Sequence, residues 1–420
     1  MNRIILFKYF YLLIVLLLYI FGFLLRENIA GGAEADFLNF TWPVIQALKF
    51  DFYGTIKNYG SFGEGTLPLF HILNAYLNPF SSNIFYFQAS IASISLLNTI
   101  FFSQIIRKKY ELNKLDAYIF ASVFLILPFF RSSAFWGITE NLGWLFLILS
   151  LKFYLDYEIK NYKNLRLNIF LICLFSSLAL YTRPYLIFFP IFLVIEAISR
   201  KDIIFLKHSF PIYFILAIPG LYLIYLWGGI FKIDGGSVNL LKDYHNPKFI
   251  LKNLIIFFSI FFFYIIPFEI SKNELKKGFN IKIFASIFII ILVLEILNIF
   301  DYLQYIELGG GVFLKLNQLL FGTNIIFFLI ISCLAIQITS KYIFISKKNR
   351  ILFTCLIIYC FPKFILQEYF EPLVLIIFLS LLDLERNYQK ILKKEKTLNI
   401  FCAYYLTYYI GSFFYRYFLS

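Results

Sequence analysis

The sequence is poor in the residues on which most metal and nucleophilic chemistry rests. It has three histidines, five cysteines and one methionine in 420 residues. Cys173, Cys333, Cys355, Cys360 and Cys402 all fall inside apolar runs, and none stands at metal-ligand spacing from a histidine or another cysteine. They read as small core- or lipid-facing residues. The histidines are scattered without HxxH or HExxH spacing, so neither a metal nor any other cofactor is expected. No GxxxxGK[ST] or GxGxxG loop occurs, which leaves soluble nucleotide chemistry without a phosphate cradle. Internal repeats are absent as well. Inverted repeats mark many secondary transporters, so their absence argues against one.

What the sequence has in quantity is apolar surface. Hydrophobic residues make up 61% of the chain and charged residues only 15%, a balance that a soluble protein of this length could not bury. Apolar runs of about 18 residues or more recur, the length needed to cross a hydrocarbon core of roughly 30 Å. The class is an all-α polytopic membrane protein. Thirteen spans are expected, near 4–25, 84–106, 115–130, 140–157, 166–181, 185–199, 209–228, 250–267, 282–300, 320–339, 351–366, 372–384 and 398–415. The first follows a basic start but is too long for a signal peptide and lacks a small-residue cleavage site. The whole of 1–420 reads as one membrane domain, with a catalytic-type module over 1–200 and variable helices over 201–420.

The net charge of +14 does not mark a nucleic-acid partner, because the basic residues sit at the ends of apolar runs and report topology. With the N-terminus in the cytosol and spans alternating, every cytosolic loop is basic. The unusual polar chemistry then gathers on the outer face. The first outer loop, 26–83, is the longest segment that cannot span. Outside too are RSSAFWGITE from Arg131, the Thr182-Arg183-Pro184 turn, the Lys- and Asp-rich loop of Lys242 and His245, and QEYFE from Gln367. An external active site fits this asymmetry better than a transport path through mid-membrane. A lipid-linked oligosaccharide flippase or a polymerase is the rival reading, but a flippase path needs charges at mid-span, and only Glu295 qualifies.

Within the first loop the apolar positions Phe37, Phe40, Val44, Ile45 and Leu48 recur at helical spacing, which predicts an amphipathic helix in the interface. Asp36 falls at its start. It is either the helix cap or a general base that deprotonates an acceptor hydroxyl, with Glu34 assisting. A second short helix, led by Pro68, carries His71 as an interfacial or substrate-binding residue. Glu140 opens a span as a cap or as a sugar-binding carboxylate. Arg131 and Arg183 are interfacial cations suited either to anchor the chain or to bind a lipid phosphate. Lys242 and His245 crowd a loop that could meet a pyrophosphate.

Three stretches resemble a known family. AEADFLNFTWPVIQAL, followed by TLPLFHIL, resembles the acidic first-loop motif and the later helix start of the GT-C superfamily of integral-membrane glycosyltransferases. The nearest match is the dolichyl-phosphate-glucose-dependent α-1,2-glucosyltransferase family. FFRSSAFWGITENLGWLFLILSL is similar to that family's span start, with Thr139 and Glu140 matching. LALYTRPYLIFFPIF is similar to its Arg-containing element at Arg183, with Pro184-Tyr185 where the family has Gln-Thr. The resemblance implies a GT-C-like fold and an inverting hexosyltransferase. It implies a polyprenyl-phosphate-linked sugar donor, a glycan or lipid-linked acceptor, membrane lipids as surroundings and no metal. Asp36 and Glu34 would then be catalytic, and Glu140, Arg131, Arg183, Lys242, His245 and His71 would bind substrate. The site would face the periplasm of a bacterial inner membrane, or the endoplasmic-reticulum lumen in a eukaryote.

Overall fold

The computed structural model describes residues 3–63, 66–159, 164–229, 247–272, 280–296, 309–362 and 365–419. Among the described residues every regular element is a helix and there is no strand. A helix suits lipid because it satisfies each backbone N–H and C=O inside its own segment. Among the described residues six helices are long and apolar enough to cross a membrane: Ile5–Leu24, Ile84–Tyr110, Leu165–Thr182, Ile203–Trp227, Ile250–Lys272 and Ile326–Ile345. They make the chain a helical membrane protein.

Not every expected span is a helix of that length. Across 372–384 the chain forms only Leu373–Ile376 and a π turn, Ile377–Leu381. Nine helical residues rise about 14 Å, half the hydrocarbon thickness, and all nine are buried. The stretch expected at 115–130 is bent by 67° between Lys114–Ile126 and Pro128–Trp136. The cause is local. Pro128 removes an amide donor and drives Leu127 out of the helical region, to φ −70° and ψ 124°.

The chain forms two compact units, Met1–Val238 with Tyr405–Ser420, and Asn239–Tyr404. The division falls later than the 200/201 boundary read from the sequence, and the final segment rejoins the first unit. In the second unit, Pro247–Lys272 packs on Gly311–Phe321 and Ile326–Ile345. Its buried carboxylates are met by tyrosine hydroxyls. Glu269 accepts from Tyr342 and from Tyr388 at 2.5 Å, and Glu371 accepts from Tyr264 at 2.7 Å. Gln367 donates to Tyr264 at 2.8 Å and accepts from the Val312 amide at 2.9 Å, so Gln367 and Glu371 of QEYFE serve that core.

The first unit begins with α1, Arg3–Leu24, and a series of short loop helices: α2, Ala33–Asp36; α3, Trp42–Phe50; α4, Phe52–Lys57; and α5, Leu69–Tyr76. It continues with α6, Ile84–Tyr110; α7, Lys114–Ser122; α8, Pro128–Trp136; α9, Glu140–Glu158; α10, Leu165–Thr182; α11, Phe188–Arg200; and α12, Ile203–Trp227. Side-chain hydrogen bonds join the long helices where little water competes. Tyr19 of α1 donates to Ala92 O of α6 at 3.0 Å. Asn98 of α6 donates to Asn141 O of α9 at 2.9 Å, and Ser150 of α9 donates to Ile172 O of α10 at 2.8 Å. The Tyr181 hydroxyl of α10 bridges Leu216 O at 2.7 Å and Gly220 N at 2.8 Å, supporting α12 beside its internal Pro219.

The unit has two chemically different ends. At one, ordinary ion pairs join helix termini: Lys8–Asp116 at 2.7 Å, Lys108–Asp156 at 2.5 Å and Arg200–Glu158 at 2.9 Å. At the other, α1 runs into the first loop, α8 into α9, and the last helix, Glu395–Phe414, comes to its end. There the packing closes around Gly22. An added Cβ at Gly22 would stand 2.1 Å from Arg131 Nη2 and 2.8 Å from Glu27 Oε2. Gly22→Ala should therefore overpack a buried ion pair and cost about 1–3 kcal/mol. Gly411→Ala in the last helix meets nothing within 4 Å and should be neutral or stabilising by up to about 1 kcal/mol. Thermal unfolding midpoints of the two variants in one detergent check the contrast.

Candidate functional site

The first loop is pinned at its start. Gly31 turns the chain with φ +89°, a conformation suited to glycine, and the Ala30 amide donates to Ser132 Oγ of α8 at 3.2 Å. The loop helix then begins at Ala33, with Gly32 as its cap, earlier than the sequence pattern suggests. Asp36 is thus inside the first turn and makes no capping bond from its side chain. The expectation that Asp36 caps the helix is corrected on this point, because the helix starts ahead of it. Negative charge on that turn is still favoured by the helix dipole. Both Glu34 and Asp36 are exposed, and α2 packs against α8.

Directly after Asp36 the chain makes a π turn, Phe37–Thr41, before α3. Single π turns inside helices are frequent at functional sites. Four of the five apolar positions read from the sequence, Phe37, Val44, Ile45 and Leu48, are fully buried, and Phe40 is half-buried. This face packs on protein, however, where the sequence suggested the lipid interface. Phe37 stacks on Phe87 of α6 at 5.9 Å, with Trp42 beside both rings.

Arg131 does not reach the surface. It is completely buried, donates to Glu27 Oε2 and to Leu18 O at 2.8 Å each, and lies 4.4 Å from the ring centre of Tyr409. The Tyr409 hydroxyl in turn donates to the same Glu27 oxygen at 3.1 Å. The outward-facing cation expected here is instead the inner half of an ion pair, because a guanidinium removed from water needs a carboxylate. Glu27 was not singled out as its partner. The available signal was an arginine within an apolar helical stretch, which demands a counter-charge somewhere.

His71 is also away from the surface. It is fully buried, with Nδ1 2.8 Å from the Tyr59 hydroxyl. Tyr59 stacks on Trp227 at 5.8 Å, and Trp227 Nε1 donates to Ile56 O at 2.8 Å. His71 therefore helps lock the loop onto the end of α12.

Glu140 and Arg183 are brought together. Glu140 is the first residue of α9, and Thr139, not Glu140, is its cap. The carboxylate pairs directly with the Arg183 guanidinium, at a depth that leaves the side chains 10% and 12% exposed. Arg183 Nε donates to the Tyr185 hydroxyl at 3.2 Å, and its guanidinium carbon lies 5.2 Å from that ring. Small Gly143 makes room, since a Cβ there would be 3.1 Å from Arg183 Cγ. Lys242, His245 and the Glu295 side chain lie outside the described residues.

The sequence reading also missed the return of the last helix. The Asn28 amide donates to the Tyr417 hydroxyl at 3.0 Å, and the Arg416 side chain lies over Gly31. No protein-family model, curated protein or solved structure matches the chain.

The buried Glu27 has a pH signature. Burial raises its carboxyl above the ordinary value of 4.5, opposed by the Arg131 charge and the Tyr409 hydrogen bond. The folded state then keeps a proton that the unfolded state releases near 4.5. Its stabilising contribution is complete below that value and is lost as pH rises through the folded one. Thermal midpoints should fall over this acidic window in the wild type and lose that component in Glu27→Gln. Arg131→Met leaves the burial effect unopposed and should extend the fall to higher pH.

Proposed function

We propose that the protein is a membrane glycosyltransferase that moves a hexose from a polyprenyl-phosphate donor to a hydroxyl of a glycan or lipid-linked acceptor. In this reading the N-terminus is cytosolic, up to thirteen segments enter the membrane, and the loop end of the first unit faces outward. The observation that carries it is a juxtaposition. Two exposed carboxylates sit on the first turn of α2, α2 packs on α8, and α8 leads through Gly137 to Glu140 and its partner Arg183. The three stretches that resemble GT-C enzymes thereby meet at one end of one unit.

The chemistry follows from these groups. Asp36, exposed and on a helix turn that favours its negative charge, takes the acceptor's hydroxyl proton, with Glu34 assisting. The oxygen attacks the anomeric carbon opposite the phosphate, so the configuration inverts, and the bond to the phosphate oxygen breaks with its electron pair on the phosphate. The Glu140–Arg183 pair offers both acceptors and donors to sugar hydroxyls at a fixed position. Arg131 takes no part in this step, because its charge is spent on Glu27.

The test is turnover in liposomes with a panel of short-chain polyprenyl-phosphate hexoses, wild type beside Asp36→Asn. Wild type should release polyprenyl phosphate, and Asp36→Asn should lose about 100- to 10,000-fold in rate with donor binding retained. No release from any donor would reject the transferase reading and turn attention to a flippase.

A further inference from the structure

The first loop has an exposed edge that the candidate site does not use, and it is aromatic. The C-terminal ends of α3 and α5 come together there, with the Tyr76 hydroxyl donating to Leu48 O at 2.5 Å. Phe50, the last residue of α3, is 91% exposed, and Leu77, just past α5, is 73% exposed. The Phe52 and Tyr76 rings meet edge to face at 6.1 Å, and both are exposed, as is Tyr53.

The edge runs on into the next helix. Ser81 O, in the turn before α6, accepts from Lys49 Nζ at 2.6 Å and from Gln46 Nε2 at 3.0 Å, which fixes that turn against the end of α3. Phe80 lies 6.4 Å from Tyr86, and Tyr86 lies 5.7 Å from Phe85. All three are exposed, and the last two belong to the first turn of α6. Phe85 in turn lies 5.5 Å from Phe23 at the end of α1. Both α1 and α6 are long and apolar enough to cross a membrane.

Polar groups along this edge are turned back on the protein. Lys49 is bound to Ser81 O, and Asp51 accepts from the Gly54 amide at 2.9 Å as the cap of α4. Asn78 donates to Asn74 Oδ1 at 2.9 Å and to Ser90 Oγ at 2.8 Å. Polar groups that are already hydrogen-bonded cost less to take out of water.

We infer that this edge of the loop is a membrane-contact surface, and that Phe50, Phe52, Tyr53, Tyr76, Leu77 and Phe80 sit in the lipid interface of the leaflet that α6 enters. Its occupant is lipid rather than a second copy of the chain, because the aromatic run continues without a break onto the ends of two membrane-crossing helices. Aromatic rings collect at the level where a span meets the headgroups. The contact belongs to different residues from those the sequence pattern suggested. Phe37, Val44, Ile45 and Leu48 face protein, and the ends of α3 and α5 with the turn into α6 face lipid. The loop is thereby held at the leaflet by one edge, while Glu34 and Asp36 stand on α2. This inference does not depend on the transferase reading.

The experiment places a nitroxide label on Phe50→Cys, Leu77→Cys and Glu34→Cys in the full chain, in liposomes of phosphatidylethanolamine and phosphatidylglycerol. The five native cysteines are buried, and the unsubstituted chain gives the labelling background. Electron paramagnetic resonance measures collisions with oxygen, which concentrates in lipid, and with a water-soluble nickel chelate. At Phe50→Cys and Leu77→Cys oxygen collisions should exceed nickel collisions several-fold, at a depth of about 5–10 Å below the headgroup boundary. Glu34→Cys should show the reverse ratio. Tyr53→Cys takes the place of either aromatic-edge variant that does not fold. Free access of nickel at either edge position means water covers the edge and overturns the inference. Weak collisions with both reagents mean that protein covers it, a second copy included, and overturn it as well. An equal oxygen excess at Glu34→Cys also overturns it, since lipid contact would then not belong to the aromatic edge.

Discussion

The first unit depends on one buried ion pair. Arg131 has no solvent exposure, and its charge is met by Glu27 at 2.8 Å. Taking both ions out of water is expensive, and their attraction offsets the cost only when the geometry is good and further hydrogen bonds are made. Leu18 O and the Tyr409 hydroxyl supply such bonds. The consequence is mechanical as well as energetic. A single guanidinium ties the end of α1, the helix α8 and the last helix to one point, and Gly22 must stay without a side chain to admit it.

From that point the first loop inherits its position. Asn28 and Ala30 follow closely on Glu27 and are held by Tyr417 and Ser132, and the Arg416 side chain lies over Gly31. The exposed carboxylates of α2 therefore stand on a rigid support, although they belong to a connecting segment. The far side of the same loop is held by a second lock, the His71–Tyr59–Trp227 series. Histidine and tryptophan here do structural service, joining the loop to the end of α12. Glu34 and Asp36, by contrast, stand exposed on the first turn of α2.

Much of the architecture was legible in residue patterns. The apolar runs announced the membrane class, and of the positions Phe37, Phe40, Val44, Ile45 and Leu48 all but Phe40 form the buried face of the loop helix. Helix starts were less legible: the loop helix begins at Ala33 because the Gly31-Gly32 turn precedes it, and Asp36 then falls inside the turn. Short apolar stretches misled most. The run over 372–384 is apolar because protein buries it on all sides, and composition alone cannot tell burial in protein from burial in lipid.

What the sequence by itself determined is what depends on neighbours along the chain: the helical class, the periodic faces, the break at Pro128 and the basic termini. These follow from backbone sterics and from the transfer of apolar side chains out of water, which act residue by residue. The tertiary structure alone decided which charge answers which. Arg131 could have met a substrate, but the fold gives it Glu27, 104 residues away. Arg183 could have held a phosphate alone, but it meets Glu140. Tyr417 reaches back across 389 residues to Asn28 and brings Arg416 with it. Ion pairs act over a few ångströms in space, and distance along the chain says nothing about which groups will be brought that close.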